Sequence, residues 1–333
     1  MDRIIEQIDE INKILYSSVS RGGEMFKSPI MGLGYLVVGT QETDDWQIFA
    51  RDLLGMMPSK LPLPEGSFGF RMDDRMARII VERGEDQVIA IGWDVKGSVE
   101  WEELMKSLGK AKIVGKMLSQ EESRQRSADL VYRVTDPSGQ TVEFALRPLR
   151  DSIDRFVSPI GVRFVTGDQG MGLVTMAVSN FAGSVDFYQN VLNFDFRETL
   201  DTPHIRASVF SPNPRQHSIF IIDGHGQNHF HHVMVEVDTI DDVGRCLDKV
   251  MDGEAVLTVG LGRHFNDKMT SFYMKSPSSL QVEYGFAGLR VESGSWVENT
   301  QGGVGGASLW GHRPVADVHD ATVAKSFTRI EKN

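Results

Sequence analysis

The sequence predicts an α+β protein of four βαβββ modules arranged in two tandem domains, and a repeat of spacing carries most of that expectation. Gly34, Phe49 and Gly55 stand at steps of 15 and 6 residues, and Gly172, Phe187 and Asn193 repeat those steps. Farther along, Asp136 to Phe144 parallels Ser276 to Tyr284, so an offset of about 140 residues holds across both halves of the chain. Such self-similarity marks a duplication. Within each half, short β runs alternate with single helices, and a helix followed by antiparallel strands cannot close a core alone, so modules must pair.

The elements follow in order. Ile4, Ile8, Ile11 and Leu15 recur at helical spacing with acids between them, which predicts an amphipathic helix within an extension over 1–30. A first two-module domain is expected over 31–150. Its strands are predicted at Gly34–Val38, Phe68–Met72, Ala77–Glu82, Val88–Val95, Leu130–Val134 and Thr141–Leu146, and its helices at Asp44–Leu54 and Val99–Leu108. The second domain, over 158–300, repeats the pattern and includes a helix across Asp241–Val250 that carries Cys246, expected to be buried and inert. A tail over 301–333 opens on the glycines between Gly302 and Gly306, read as a linker because no strand-to-helix context surrounds them.

With 333 residues the chain is long enough for two cores, and 24% charged with 41% hydrophobic residues is an ordinary globular balance. A formal net charge of −11 argues against nucleic acid or an anionic membrane as partner. A single cysteine excludes a disulfide scaffold, the acids among the first sixteen residues do not suit a signal peptide, and no apolar run approaches a membrane span. A cytoplasmic protein acting on a small molecule is the expectation.

Chemistry concentrates between His217 and Tyr284. Most of the nine histidines lie there, in His229-Phe230-His231-His232 and Gly262-Arg263-His264, together with Asn266-Asp267, Ser271-Phe272-Tyr273 and the strand Gln281-Val282-Glu283-Tyr284. Histidines beside a strand-borne carboxylate suit a metal site or acid–base work. A lone histidine in a strand is more often structural, an Asn-Asp pair more often makes a turn, and Tyr273 beside Phe272 could be a core aromatic. Glu143 occupies the place equivalent to Glu283 in the first half, which has no other ligand candidate. His312 and Trp310 are assigned to the closing tail rather than the site.

These motifs, with Leu33-Gly34-Tyr35, Arg71-Met72-Asp73-Asp74-Arg75 and the late Leu309-Trp310-Gly311-His312-Arg313, resemble the type I extradiol ring-cleavage dioxygenases. These are the catechol and 2,3-dihydroxybiphenyl cleaving enzymes of the vicinal oxygen chelate superfamily, whose fold is glyoxalase/bleomycin-resistance-like. The resemblance covers about Gly32 to Arg313. It implies a non-haem Fe(II), occasionally Mn(II), held by two histidines and one glutamate, a small aromatic diol and O₂ as substrates, and a homo-oligomer. It assigns His232 and Glu283 as metal ligands, His217 to proton transfer, His264 and Tyr273 to hydrogen bonds with the substrate oxygens, and Asp267 to the pocket beside them.

One position departs from the pattern. Where the family's strand reads Gly, an apolar residue, Gly and His, this chain reads Gly170-Met171-Gly172-Leu173. An isobutyl group has no lone pair. The site is therefore expected to hold iron weakly or with the substrate's help, to take a replacement from His204, His225, His229 or His231, or to work without metal as an enzyme or binding protein for a phenolic ligand. His231 is expected to face away from His232, because neighbours on a strand alternate.

Overall fold

Two apolar strands, β1 (Ile30–Thr40) and β5 (Gln87–Val95), lie antiparallel at the centre of the first sheet, and each is flanked on its outer side by a parallel partner, β4 (Ile79–Arg83) and β8 (Thr141–Pro148). The short β2 (Met57–Pro58) and β3 (Phe68–Arg71) extend one side, and β7 (Ala128–Thr135) with β6 (Lys116–Met117) the other, so the order is β2-β3-β4-β1-β5-β8-β7-β6. The computed structural model describes residues 26–201, 205–292 and 308–315, and the expected N-terminal helix, His204 and the glycine linker lie outside them.

The second sheet repeats this order strand for strand. Its strands are β9 (Gly172–Val178), β10 (Asp195–Asp201), β11 (Arg206–Ser211), β12 (Ile219–Asp223), β13 (His229–Val237), β14 (Val256–His264), β15 (Thr270–Lys275) and β16 (Gln281–Phe286). They run β10-β11-β12-β9-β13-β16-β15-β14, and one further strand, β17 (Ser308–Trp310), is added on β14. The duplication reaches into local detail. Helices α1 (Thr43–Ile48) and, after α2 (Ser98–Lys110) and α3 (Gln120–Gln125), α4 (Phe181–Asp186) each run into a widened π turn, at Phe49–Leu53 and Phe187–Val191. Each such helix is followed by a left-handed residue, Gly55 at φ 80° and Asn193 at φ 55°, types that tolerate αL where a helix must stop.

Strand alternation sorts the side chains onto two faces. Leu36, Val38, Val174, Val233, Val235, Phe272, Val282 and Tyr284 point to one face and join a buried core shared by both halves. The helices lie in that core: Trp46 Nε1 donates to Ser278 Oγ across the halves at 3.1 Å, Tyr284 donates to the Leu54 carbonyl at 3.2 Å, and Cys246 on α5 (Ile240–Met251) meets the Leu53 carbonyl. Burial pushes the Cys246 thiol up to about 12, so it is inert as expected. No helix among the described residues is long and apolar enough to cross a membrane.

The opposite face of each sheet carries polar residues, and a buried arginine pins each. Arg75 pairs with Asp94 in the first half, and Arg215 Nη1 meets Glu236 Oε2 at 2.5 Å in the second. Arg215 also donates to the carbonyls of Gln169 and Val165, so it ties the loop after β11 to the start of β9. Removing one member of a fully buried pair leaves an uncompensated charge. Glu236→Ala should cost about 3–5 kcal/mol in urea unfolding, whereas Asp238→Ala, at the exposed Arg163 pair, should cost less than about 1 kcal/mol. Equal losses would show that the Arg215 pair is not structural.

Candidate active site

On the second sheet's polar face, register alone sets up a row of side chains. Leu173 on β9 lies opposite Met234 on β13, Met234 beside Glu283 on β16, and Glu283 opposite Tyr273 on β15. In the next row Thr175 lies opposite His232, which stands beside Gln281. Of the six residues expected from sequence, His232, Tyr273 and Glu283 sit on these strands and His264 ends β14, while His217 lies in the loop before β12 and Asp267 in the turn between β14 and β15.

Glu283, 2% exposed, is the hub. His232 Nε2 reaches its Oε2 at 3.2 Å, while Ser271 Oγ donates to Oε1 at 2.6 Å and His264 Nε2 approaches Oε1 at 3.2 Å. Burial pushes this carboxyl up, but the hydrogen bonds from His232 and His264 outweigh it and hold the group well below the usual range. Tyr273, also buried, shares a 2.8 Å hydrogen bond with His264 Nε2, and burial with the Glu283 charge beside it raises its phenol well above the ordinary value. Glu283 is therefore anionic and Tyr273 keeps its proton at neutral pH.

His217 and Asp267 form the far side. Gln216 Oε1 contacts His217 Nδ1, and Asp267 Oδ2 lies 3.9 Å from the same nitrogen. With the imidazole proton on Nδ1, donated to Gln216 Oε1, the lone pair of His217 lies on Nε2. Asp267 is also a turn residue, since its Oδ1 accepts from the Met269 amide at 2.9 Å. The plainer reading of that aspartate thus holds beside its nearness to His217.

The structure differs from sequence expectation at three places. His231 does not turn away from His232: the β13–β9 register shifts between Phe230 and His232, and this bulge brings the two Nδ1 atoms to 2.7 Å. His312 does not stay in the tail. The short β17 pairs with β14, and the turn through Gly311, at φ 73°, lays the buried His312 ring 4.1 Å from that of His264, with Nε2 3.2 Å from Ser271 Oγ. Thr175, overlooked in the sequence, lies 3.2 Å from His232 Nε2. Alternation could have found Thr175 and Ser271, two residues from Leu173 and Tyr273 on the same faces, whereas His312 depends on a distant pairing.

Leu173 is 2% exposed and packs with Met234 and Met269 in a small apolar cluster. Among the described residues no replacement takes its place. His225 is exposed and 3.7 Å from Asp223, His229 is exposed, and His231 is engaged with His232. Among the described residues no group of three or more His, Cys, Asp or Glu side chains is placed to hold a metal ion. A cavity of about 440 Å³, lined by Asp86, Gln140, Met176, His229 and Phe230 among others, opens between the halves and includes none of the residues around Glu283.

Two family models match this chain: the Glyoxalase/Bleomycin resistance protein/Dioxygenase superfamily over residues 170–284, and Dihydroxybiphenyl dioxygenase BphC D1 over 33–84. An iron-dependent extradiol dioxygenase of Rhodococcus jostii RHA1 is 34% identical over 295 residues, which are 85% of this chain and 97% of that protein. The chain belongs to the extradiol dioxygenase family. A 3-methylcatechol 2,3-dioxygenase of Pseudomonas putida F1 is 32% identical over 85% of this chain and 98% of its own length. The crystal structure of BphC, a halotolerant catechol dioxygenase, superposes with a TM-score of 0.80 at 27% identity, covering 90% of this chain and 98% of that one. Membership in this family makes the vicinal oxygen chelate fold, two tandem sheets with few helices, the expected and observed architecture.

The buried neutral state of His217 sets a pH dependence. Burial lowers it from an ordinary 6.5 to about 4, against the opposing pull of Asp267 and Glu283. Between those values the unfolded chain binds a proton that the folded one does not. Its contribution to stability is full above about pH 6.5, falls as pH drops, and is exhausted near pH 4. Urea unfolding from pH 7 to 4 should be steeper for the wild type than for His217→Asn by up to about 1.4 kcal/mol per pH unit. Parallel curves would mean that His217 takes up its proton at the same pH in the folded protein as in the unfolded chain.

Proposed function

We propose that this chain opens the ring of a vicinal aromatic diol of catechol or biphenyl-diol type, with O₂ as co-substrate. The observation that carries the reading is the convergence of His232, His264 and Tyr273 on the buried Glu283 carboxylate, with His217 and Asp267 beside them. The names of the relatives support the substrate class, since those proteins act on catechols and biphenyl diols.

Fe(II), with Mn(II) as the alternative, is the ion the family implies. The residues present do not form its three-donor set. His232 and Glu283 are two donors, Leu173 stands where the third would be, and no polar atom of His232, His264, Tyr273 or Glu283 is left buried without a partner. What the chain's own groups do can be derived without the ion. Tyr273, protonated, and His264 present a hydrogen-bonding pair for the two diol oxygens. His217, neutral with a free Nε2 lone pair, is able to take a hydroxyl proton. Leu173, Met234 and Met269 give the site an apolar wall beside anionic Glu283.

The test is O₂ uptake under supply of Fe(II), with catechol and with biphenyl-2,3-diol. One O₂ should be consumed per diol, with a ring-opened product that absorbs visible light. Tyr273→Phe, which deletes one hydrogen bond worth about 1–1.5 kcal/mol, should lower kcat/KM about 10-fold. No uptake with either diol would overturn the reading.

A further inference from the structure

Gln216 is completely buried, and nothing in the fold demands a carboxamide at its place. Its backbone is held from two sides, the amide donating to the Leu289 carbonyl at 3.0 Å and the carbonyl accepting from Arg197 Nε at 3.1 Å. The duplication supplies an internal control. At the offset of about 140 residues Met76 donates in the same way to the Leu149 carbonyl, so the first half builds this position with a thioether beside Ala77. The second half sets a carboxamide there, beside His217. A buried amide is costly unless it is bonded. Among the described residues the Gln216 side chain bonds only to His217 Nδ1, through Oε1, and its Nε2 is buried without a partner.

Two arrangements of this pair are open in principle. With Oε1 toward the ring, His217 carries its proton on Nδ1 and its lone pair on Nε2; with the carboxamide turned over, Gln216 would donate to a bare Nδ1 and the ring proton would stand on Nε2. Asp267 separates them without bonding to the ring. Its Oδ2 lies 3.9 Å from Nδ1, beyond hydrogen-bond reach, yet a carboxylate oxygen there attracts an N–H and repels a lone pair. We infer that Gln216 is the positioning residue that fixes the tautomer of His217, holding the proton on Nδ1 so that the Nε2 lone pair faces a substrate. The use of that lone pair as a base rests on the diol reading above; the tautomer does not. An uncharged amide orients the ring without stabilising its charged form as a carboxylate would. That form is favoured only from farther off, by Asp267 and Glu283, and opposed by His264 and His232.

Nitrogen-15 NMR of the full chain without substrate tests this, because protonated and bare ring nitrogens resonate far apart, and His217→Asn identifies the signal. The expected spectrum at neutral pH shows Nδ1 protonated and Nε2 bare. Gln216→Met, which installs the side chain the first half carries, should remain folded and shift the tautomer ratio about 5–10-fold toward the Nε2-protonated form, the weight of one hydrogen bond. Gln216→Glu, whose oxygens only accept, should keep Nδ1 protonated and raise the pH at which the ring takes up its second proton. A wild-type ring protonated on Nε2 would overturn the inference, as would an unchanged ratio in Gln216→Met or a bare Nδ1 in Gln216→Glu. Unfolding of Gln216→Met would show the amide to be structural and overturn it as well. Failure of ring opening in the O₂ test would remove the diol reading and leave the tautomer assignment standing.

Discussion

A carboxylate buried in a sheet must be satisfied by its neighbours, and the organisation of the second half follows from how Glu283 meets that demand. An unpaired buried charge costs several kcal/mol, so partners have to arrive from several elements. His232 comes from the adjacent strand, Ser271 from the next, His264 from the end of β14, and His312 backs Ser271 from the tail. Hydrogen bonds to the ionised form keep the proton off Glu283. The same bonds make the site a closed network in which a ligand must displace an existing contact to enter.

The first half contains the same row with the opposite solution. There Tyr35, Gly92, Glu143 and Arg133 stand where Leu173, Met234, Glu283 and Tyr273 stand in the second. Gly92 has no side chain, and a Cβ there would lie 2.3 Å from the Tyr35 ring, so glycine is what lets Tyr35 lie across the strand and donate to Glu143 at 2.6 Å. Arg133 and Arg126 neutralise the carboxylate. Oε1 accepts from Arg133 and Oε2 from Tyr35, and apolar residues fill the surroundings. In the second half Met234 blocks that path, and the carboxylate is left to imidazoles, whose hydrogen bonds can be exchanged for a ligand's. The residue beside each glutamate, Gly92 or Met234, thus decides whether a phenol of the same row or imidazoles satisfy it.

This contrast separates what the sequence made legible from what it did not. Spacing and alternation suffice for the modules, the strand order and the face on which His232, Tyr273 and Glu283 project, because period-two patterning is a local property. The departure at Leu173 is equally local. The pairing of His231 with His232 was not legible, since a single bulge reverses the alternation on which the expectation stood. His312 was not legible either, as its position depends on β17 adding to β14 nearly fifty residues away. Non-local pairing and irregular register are the features that a pattern along the chain does not encode.

The placement of His312 bears on how the site can operate. Its ring covers His264, and a Cβ added to Gly262 would lie 2.3 Å from the His312 amide, so glycine on β14 allows the tail to sit this close. Burial holds the imidazole down to about 3, and it therefore contributes a neutral surface rather than a charge beside His264. It packs a neutral ring against His264 and Ser271, two partners of Glu283, and in so low a dielectric each charge–dipole contact is strengthened. The tail thus supplies to the second half the enclosure that Tyr35 supplies to the first, but it does so from outside the sheet's own row. Enclosure from outside leaves the Glu283 row without the cross-strand phenol that fills the first half's row.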